Sequence, residues 1–241
     1  MSTIAIIIAG GSGTRMGLDI PKQFVHVNNK PVLVYTLESF QDHIDVDSIV
    51  LVCIDEWIET ARLYKEKYKL DKLQMIVPGG QSGQESIYNG VKALKETAHA
   101  DDIVIIHDGI RPLVDTDVLS DVVRVAREHG NAVTSLPYNE QIFCVNTDDP
   151  KTTTEFIPRE TLRRVATPQA YRYDLLSQAY DRAFTENIGI DGSHYTNTMM
   201  VTLGHRLHFA AGSDRNIKLT TPADLELFKA YVRMSQSESG E

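Results

Sequence analysis

Residues 4–22 read IAIIIAGGSGTRMGLDIPK, an apolar β-branched run that passes straight into a glycine-rich loop. Ile4, Ile6, Ile7 and Ile8 leave no wet face, the pattern of a strand covered on both sides in a parallel sheet. Gly10, Gly11 and Gly13 then allow a tight turn whose backbone N–H groups approach a ligand with no Cβ in the way. N–H groups arranged in this way favour anions, phosphate above all. Arg15 and Lys22 follow at spacings that reach the same anion, and Pro21 fixes the backbone just before Lys22. The segment reads as a nucleotide-phosphate site; a bland tight turn is the competing reading.

The loop matches neither of the common phosphate-binding fingerprints. No Lys-Ser or Lys-Thr pair follows the glycines, which excludes a Walker A loop. Gly11-Ser12-Gly13-Thr14-Arg15-Met16-Gly17 misses the dinucleotide spacing G-x-G-x-x-G by one residue.

The rest of the chain continues the same rhythm. Strands are expected at Ser48–Ile54, Leu73–Val77, Ile103–His107 and Ala132–Leu136, with a late strand at Arg206–Ala210. Helices are expected at Lys30–Phe40, Glu56–Tyr68, Gln84–Glu96, Asp115–His129, Tyr173–Phe184 and Pro222–Arg233. Such alternation predicts an α/β fold, a Rossmann-like doubly wound and mostly parallel sheet. Between about residues 138 and 167 the rhythm fails, and short polar-apolar segments flank Asn146-Thr147-Asp148-Asp149-Pro150, a strong turn signal. A structureless loop of that length is improbable in a compact domain, so the segment reads as a projecting β-arm. At 241 residues the chain is expected to be a single domain carrying that arm.

Charge and composition narrow the partners. A net charge of −9 argues against non-specific nucleic-acid binding, because phosphate backbones select basic surfaces. No apolar run approaches the roughly 18 residues of a membrane span, and the N-terminal run is too short for a signal peptide. Cys53 and Cys144 form no CxxC or Cys/His cluster and read as free thiols of a reducing compartment. These features predict a cytoplasmic protein.

Three further segments carry chemistry. His107-Asp108-Gly109-Ile110-Arg111-Pro112 follows a strand directly, and ligands of open α/β sheets sit beyond the carboxyl ends of strands. A hard carboxylate at Asp108 can hold Mg²⁺ against nucleotide phosphates, or can cap a turn; Arg111 reads as its structural ion-pair partner. Gly79-Gly80 and Ser86 stand where the third strand meets its helix, so a base or ribose could approach closely and Ser86 could meet a pyrimidine edge. A simple turn and a helix-face hydroxyl account for them equally. Thr221 reads as a helix N-cap, with Pro222 at the first helical position and Asp224 at the positive end of the helix. Lys218, which this leaves unexplained, reads as a phosphate-binding cation.

Taken together, these segments resemble the cytidylyltransferases that act on methylerythritol 4-phosphate and ribitol 5-phosphate. The matching pieces are Ala9-Gly10-Gly11-Ser12-Gly13-Thr14-Arg15-Met16, Pro21-Lys22-Gln23, Gly79-Gly80 with Ser86 and Gly90, His107-Asp108 with Arg111-Pro112, Thr167-Pro168-Gln169, and Asn216-Ile217-Lys218 with Thr221-Pro222-Ala223-Asp224-Leu225. They run in family order over nearly the whole chain. The resemblance implies transfer of CMP from CTP to a small phosphorylated polyol, giving a CDP-polyol and pyrophosphate. It implies Arg15 and Lys22 as catalytic cations at the α-phosphate and Asp108 as the Mg²⁺ ligand. Ala9, Gly10, Gly11, Gly13, Gly79, Gly80 and Ser86 would form the nucleotide site, while Arg159 and Lys218 would hold the polyol phosphate. It also implies a homodimer, because in the family the arm crosses to a partner subunit. Asn89-Gly90, Glu56-Trp57 and the Ile217–Pro222 run look more like the ribitol-phosphate branch.

Three departures stand against the pattern. His194-Tyr195-Thr196-Asn197-Thr198 replaces a Thr-Asp-(Asp/Glu)-Ala-Ser segment, so both acids are missing. Gly83 stands where an arginine is usual, and Glu140-Gln141 where an Asp-Thr pair is usual. Three other readings remain: the methylerythritol-phosphate enzyme, a silent nucleotide-binding homologue, and a sugar-1-phosphate nucleotidyltransferase using another base.

Overall fold

The β-branched run at the N-terminus becomes the middle of a seven-stranded sheet in the computed structural model, which describes residues 1–11, 20–192 and 195–238. In chain order the elements are β1 (Thr3–Ala9), a 3₁₀ turn at Lys22–Phe24, the two-residue strands β2 (His26–Val27) and β3 (Lys30–Pro31), α1 (Val32–Gln41), β4 (Ser48–Cys53), α2 (Ile58–Lys67), β5 (Leu73–Pro78), α3 (Gly83–Ala93), β6 (Ile103–Asp108), α4 (Thr116–His129) and β7 (Asn131–Pro137). There follow β8 (Ile142–Cys144), β9 (Glu155–Ile157), β10 (Arg163–Arg172), α5 (Tyr173–Glu186), α6 (Thr196–Thr202), β11 (Phe209–Ala211) and α7 (Pro222–Glu238). The sheet order is β11-β7-β10-β6-β1-β4-β5. Within it β10 alone runs antiparallel to its neighbours. The doubly wound, mostly parallel fold expected from the sequence is the one observed.

Two apolar layers explain why the first strand is apolar throughout from Ile4 to Ala9. Ala5, Ile7 and Ala9 pack with Leu33, Leu37 and Phe40 of α1, Ala61 of α2 and Val118–Ala126 of α4. Ile4 and Ile6 face the other way, towards Val91 of α3, Leu176 and Tyr180 of α5, and Met199 and Met200 of α6. Gly90 lets α3 lie directly on the sheet, since a Cβ there would stand 2.7 Å from Ile6 Cγ2 and 2.9 Å from Val52 Cγ2. A third cluster of Val27, Val32, Ile110, Leu219, Phe228 and Val232 seats α7 near the carboxyl end of β6.

The projecting arm is present, whereas β10 and α6 differ from the sequence reading. β8 and β9 pair antiparallel, Ile142 opposite Ile157, as a separate two-stranded arm. Arg163–Thr167, read from sequence as the end of that arm, belongs instead to β10 in the main sheet. Pro168 hides this strand, because proline removes a ladder donor and argues against a central strand. The ladder accommodates it by a register shift between Ala166 and Gln169. α6, absent from the sequence expectation, is a run of Thr, Asn, Met and Val that has weak helix propensity.

Candidate active site

β1 ends at Ala9, and the chain there is tied down from below. Gln23, 1% exposed, donates from Nε2 to the Ala9 carbonyl at 2.7 Å and the Gly11 carbonyl at 2.9 Å. Phe24, the next residue of the Lys22–Phe24 turn, is fully buried and stacks on Trp57 with ring centroids 4.2 Å apart. The turn that begins with Lys22 is therefore fastened to the loop on one side and to the core on the other. Gly10 and Gly79 nearly touch: a Cβ on Gly79 would lie 3.3 Å from Gly10 Cα and 3.3 Å from Ser86 Oγ. Ser86 donates to the Ser82 carbonyl at 2.9 Å and accepts the Gly80 N–H at 2.9 Å. Its hydroxyl thus holds the Gly79-Gly80 turn against the first turn of α3.

Asp108 ends β6 and gathers two cations from distant parts of the chain. Arg111 Nε donates to Oδ2 at 2.9 Å, and Lys218 Nζ donates to Oδ1 at 3.1 Å. Thr167 adds a hydroxyl to Oδ2 at 3.3 Å and accepts the Asp108 N–H at 3.1 Å. Burial pushes the Asp108 carboxyl up, but Lys218 and Arg111 outweigh it and hold its pKa at about 2. The carboxylate is therefore ionised throughout the neutral range. The Lys218 segment is clamped in turn. Arg111 Nη1 donates to the Asn216 carbonyl at 2.7 Å, Asn216 Nδ2 donates to the Thr167 carbonyl at 2.7 Å, and Leu219 N–H bonds the Ile110 carbonyl at 2.9 Å. Thr221 caps α7 by accepting the Asp224 N–H at 3.3 Å, while the Asp224 carboxylate accepts N–H bonds from Thr220 and Thr221. Below Asp108, His107 is fully buried. Burial holds its pKa down near 4, so the ring is neutral, and Nε2 lies 3.1 Å from the Arg111 carbonyl.

These groups open onto a cavity of about 490 Å³, floored by Ile8 and Ile106 and lined by Asp108, Arg111, Lys218 and Thr167 on one side. The rest of its lining includes the uncharged Gln84, Gln169, Tyr195, Thr196 and Asn197. The volume lies within the ordinary range of small-ligand sites. On the neutral side the hydroxyls of Thr196 and Tyr180 lie 2.7 Å apart, Tyr180 donates to Gln84 Oε1 at 2.8 Å, and Gln84 Nε2 donates to the Gly189 carbonyl at 3.0 Å. A fully connected buried chain of this kind fixes one geometry.

A tethered glycine loop beside a cation-flanked carboxylate suits phosphate chemistry on a nucleotide, and the comparisons with known proteins give it a family. The family described as "IspD: 2-C-methyl-D-erythritol 4-phosphate cytidylyltransferase" matches residues 3–234. The chain belongs to the IspD cytidylyltransferase family. It is thus a CTP-dependent nucleotidyltransferase. A ribitol-5-phosphate cytidylyltransferase of Lacticaseibacillus paracasei is 58% identical over 229 residues, covering 95% of this chain and 97% of its own. A 2-C-methyl-D-erythritol 4-phosphate cytidylyltransferase of Clostridium novyi is 37% identical over 229 residues, covering 95% of each. The solved Francisella tularensis 2-C-methyl-D-erythritol 4-phosphate cytidylyltransferase superposes with a TM-score of 0.78 at 26% identity, over 94% of this chain and 98% of that one.

Within this IspD-family chain the expected site residues fall into three groups. Asp108 and Lys218 come together, and Arg111 is the structural ion-pair partner read from sequence. Ala9, Gly10, Gly11, Gly79, Gly80 and Ser86 cluster where β1 and β5 end, beside the cavity rather than in its lining. Arg159 stands apart. It is 55% exposed on the arm, donates to the Asn139 carbonyl at 3.1 Å, and lines a separate groove with Phe143, Phe156 and Pro158. Gly13 and Arg15 lie outside the described residues. Sequence reading missed Gln84 and Tyr180, whose only signal is a polar residue at buried helical positions. Among the described residues no group of three or more His, Cys, Asp or Glu could hold a metal ion, and no helix is long and apolar enough to cross a membrane.

Proposed function

We propose that the chain transfers the CMP group of CTP to ribitol 5-phosphate, forming CDP-ribitol and releasing pyrophosphate. The observation that carries this choice of acceptor is the 58% identity to a ribitol-5-phosphate cytidylyltransferase across almost the full length of both chains. The corresponding figure for a methylerythritol-phosphate relative is 37%.

A phosphate oxygen of the acceptor attacks the α-phosphorus of CTP in line, the new P–O bond forms, and the bond to the β-phosphate oxygen breaks. The glycine loop, with Ala9, Gly10, Gly11 and Gly13, cradles the triphosphate through backbone N–H groups. Gly79 and Gly80, held by Ser86, leave room for the cytidine. Arg15 and Lys22 stabilise the charge that builds on the α-phosphate, a preorganised donor of this kind being worth roughly 3 kcal/mol. Lys218, beside the cavity, draws the acceptor phosphate to the reacting centre.

Mg²⁺ fits this donor set. Asp108 offers one ionised carboxylate at the cavity wall, and Mg²⁺ is commonly held by one or two carboxylates together with substrate phosphates. When bound, the ion would neutralise phosphate charge and orient the pyrophosphate leaving group. Within one chain Arg159 lines a different groove from Lys218. A homodimer whose arm carries Arg159 to the neighbouring cavity accounts for both positions. A cytoplasmic setting suits phosphorylated substrates.

Pyrophosphate release from CTP, with Mg²⁺ and either ribitol 5-phosphate or 2-C-methylerythritol 4-phosphate, tests the reading. Higher kcat/KM with ribitol 5-phosphate supports it. Preference for the methylerythritol ester would place the chain in the other branch, and CTP binding without turnover would make it a silent homologue.

A further inference from the structure

Two buried carboxamides in the cavity wall are only half engaged by the protein. Gln169, 5% exposed on β10, accepts the Tyr171 hydroxyl at Oε1 over 2.9 Å. Asn197, 7% exposed in α6, accepts the Thr198 N–H at Oδ1 over 2.9 Å. In both, the carbonyl oxygen is anchored and the amide nitrogen has no hydrogen-bond partner among the described residues. Both residues line the 490 Å³ cavity that also holds Asp108, Arg111 and Lys218.

The buried polar groups next to them are engaged with one another. Both ends of the Gln84 carboxamide are engaged, by Tyr180 and Gly189, and the Thr196 hydroxyl faces Tyr180. Anchoring the oxygen of each amide fixes which face meets the cavity, and that face donates. Neither amide nitrogen is among the sealed, unpartnered polar atoms of the described residues, so both are open to the cavity, whose contents supply their acceptors. The phosphate belongs at the cationic side, where charge-assisted bonds are strongest. What reaches the neutral side is the remainder of the acceptor, and its acceptor atoms are hydroxyl oxygens.

We infer that Gln169 and Asn197 are specificity-determining residues that read the hydroxyl groups of the acceptor polyol. The inference rests on the cytidylyltransferase reading of this site. In this chain Asn197, Thr196 and Tyr195 occupy a segment where the family pattern carries two acids. The two acids are replaced by Tyr195 and Thr196, which carry no charge, and Asn197 beside them presents an amide donor. A site built to hydrogen-bond a substrate group discriminates strongly against an analogue that lacks it.

The test compares the full chain with Asn197→Asp and Gln169→Glu, each of which keeps the anchored oxygen and the side-chain shape while removing the donor. Acceptors are ribitol 5-phosphate and its monodeoxy analogues, with CTP and Mg²⁺, and unchanged melting temperatures establish that the variants fold. Each variant should raise KM for ribitol 5-phosphate at least tenfold with KM for CTP unmoved. At one deoxy position the penalty seen in the wild type should vanish. Deoxy penalties as large in the variants as in the wild type would overturn the assignment, as would a rise in KM for CTP alone. If the wild type uses 2-C-methylerythritol 4-phosphate instead, the acceptor reading fails while the same comparison on that acceptor's hydroxyls still decides the amide assignment. A wild type that turns over neither acceptor overturns both.

Discussion

The two sides of the cavity are built on different principles. The charged side joins Asp108, Arg111 and Lys218, which come from the end of β6, the turn after it and the approach to α7. The neutral side joins Gln84, Tyr180 and Thr196 from α3, α5 and α6 by hydrogen bonds alone. On the charged side a carboxylate and two cations leave an excess positive charge, suited to a phosphate. On the neutral side every bond is directional and none is screened by salt. One side attracts and the other measures, so substitutions on the first should cost rate and those on the second selectivity.

Asp108→Asn should be the most damaging change. It removes the charge that balances Arg111 and Lys218 and the carboxylate that would hold Mg²⁺. Loss of a preorganised electrostatic group costs about 10²–10³ in turnover, and this one serves two tasks, so kcat should fall by about 10³. Steady-state pyrophosphate release measures it; a variant within tenfold of wild type would remove Asp108 from the reaction.

Beneath the same side, His107 ties stability to pH. An imidazole in the unfolded chain takes a proton near pH 6.5, whereas burial in the fold lowers the pKa to about 4. Between these values the unfolded chain binds the additional proton, so stability is complete above pH 6.5 and declines as pH falls towards 4. The loss across that window is roughly 3 kcal/mol. Asp108 acts in a lower window: its pKa of about 2 lies below the unfolded carboxylate value, so its contribution is lost only as pH falls from about 4 towards 2. Urea unfolding of the wild type and His107→Gln between pH 7 and pH 4.5 should show a flatter dependence in the variant. Identical slopes would show that the buried ring does not titrate on unfolding.

Arg159→Ala asks whether the charged side is completed from outside the chain. Loss of a charge-assisted bond to phosphate costs about 1.5–3 kcal/mol, which corresponds to a rise in acceptor KM of about ten- to a hundredfold. Mixing Arg159→Ala with Lys218→Ala protein should restore activity above that of either alone if arms cross between copies. Unchanged acceptor KM, or an effect on CTP alone, would break the assignment.

How much of the site was legible depended on whether its chemistry was local in sequence. Asp108 and Arg111 lie three residues apart directly after a β-branched strand, so position and pairing could both be read. Lys218 was legible as a cation, but its bond to Asp108 spans 110 residues and exists only through the clamp of Asn216 and Leu219. Ser86 was legible as a position, while the direction of its hydroxyl depended on Ser82 and Gly80. On the neutral side the departure at residues 195–198 marked the segment, but the hydrogen-bond chain behind it left no trace. Gln84 and Tyr180 are ordinary helix residues until α6 lies against them, and α6 is a weak helix former stabilised by burying Met199 and Met200. For β10, Pro168 concealed a central strand that tolerates it only at an irregular register.

Thr196→Val isolates the neutral side with the least perturbation, keeping the branched shape and removing one hydroxyl. Tyr180 then keeps its bond to Gln84 and loses its contact with Thr196, so the cost should be about 1 kcal/mol. Because this chain of bonds carries no charge, kcat should change little and the salt dependence of activity not at all. The effect should fall on the acceptor, since the start of α6 carries Asn197 and Tyr195 into the cavity wall. A modest rise in acceptor KM with CTP kinetics intact would place selectivity on this side. A loss of kcat comparable with that of Asp108→Asn would show that the two sides are one electrostatic unit, and the division between attraction and measurement would fail.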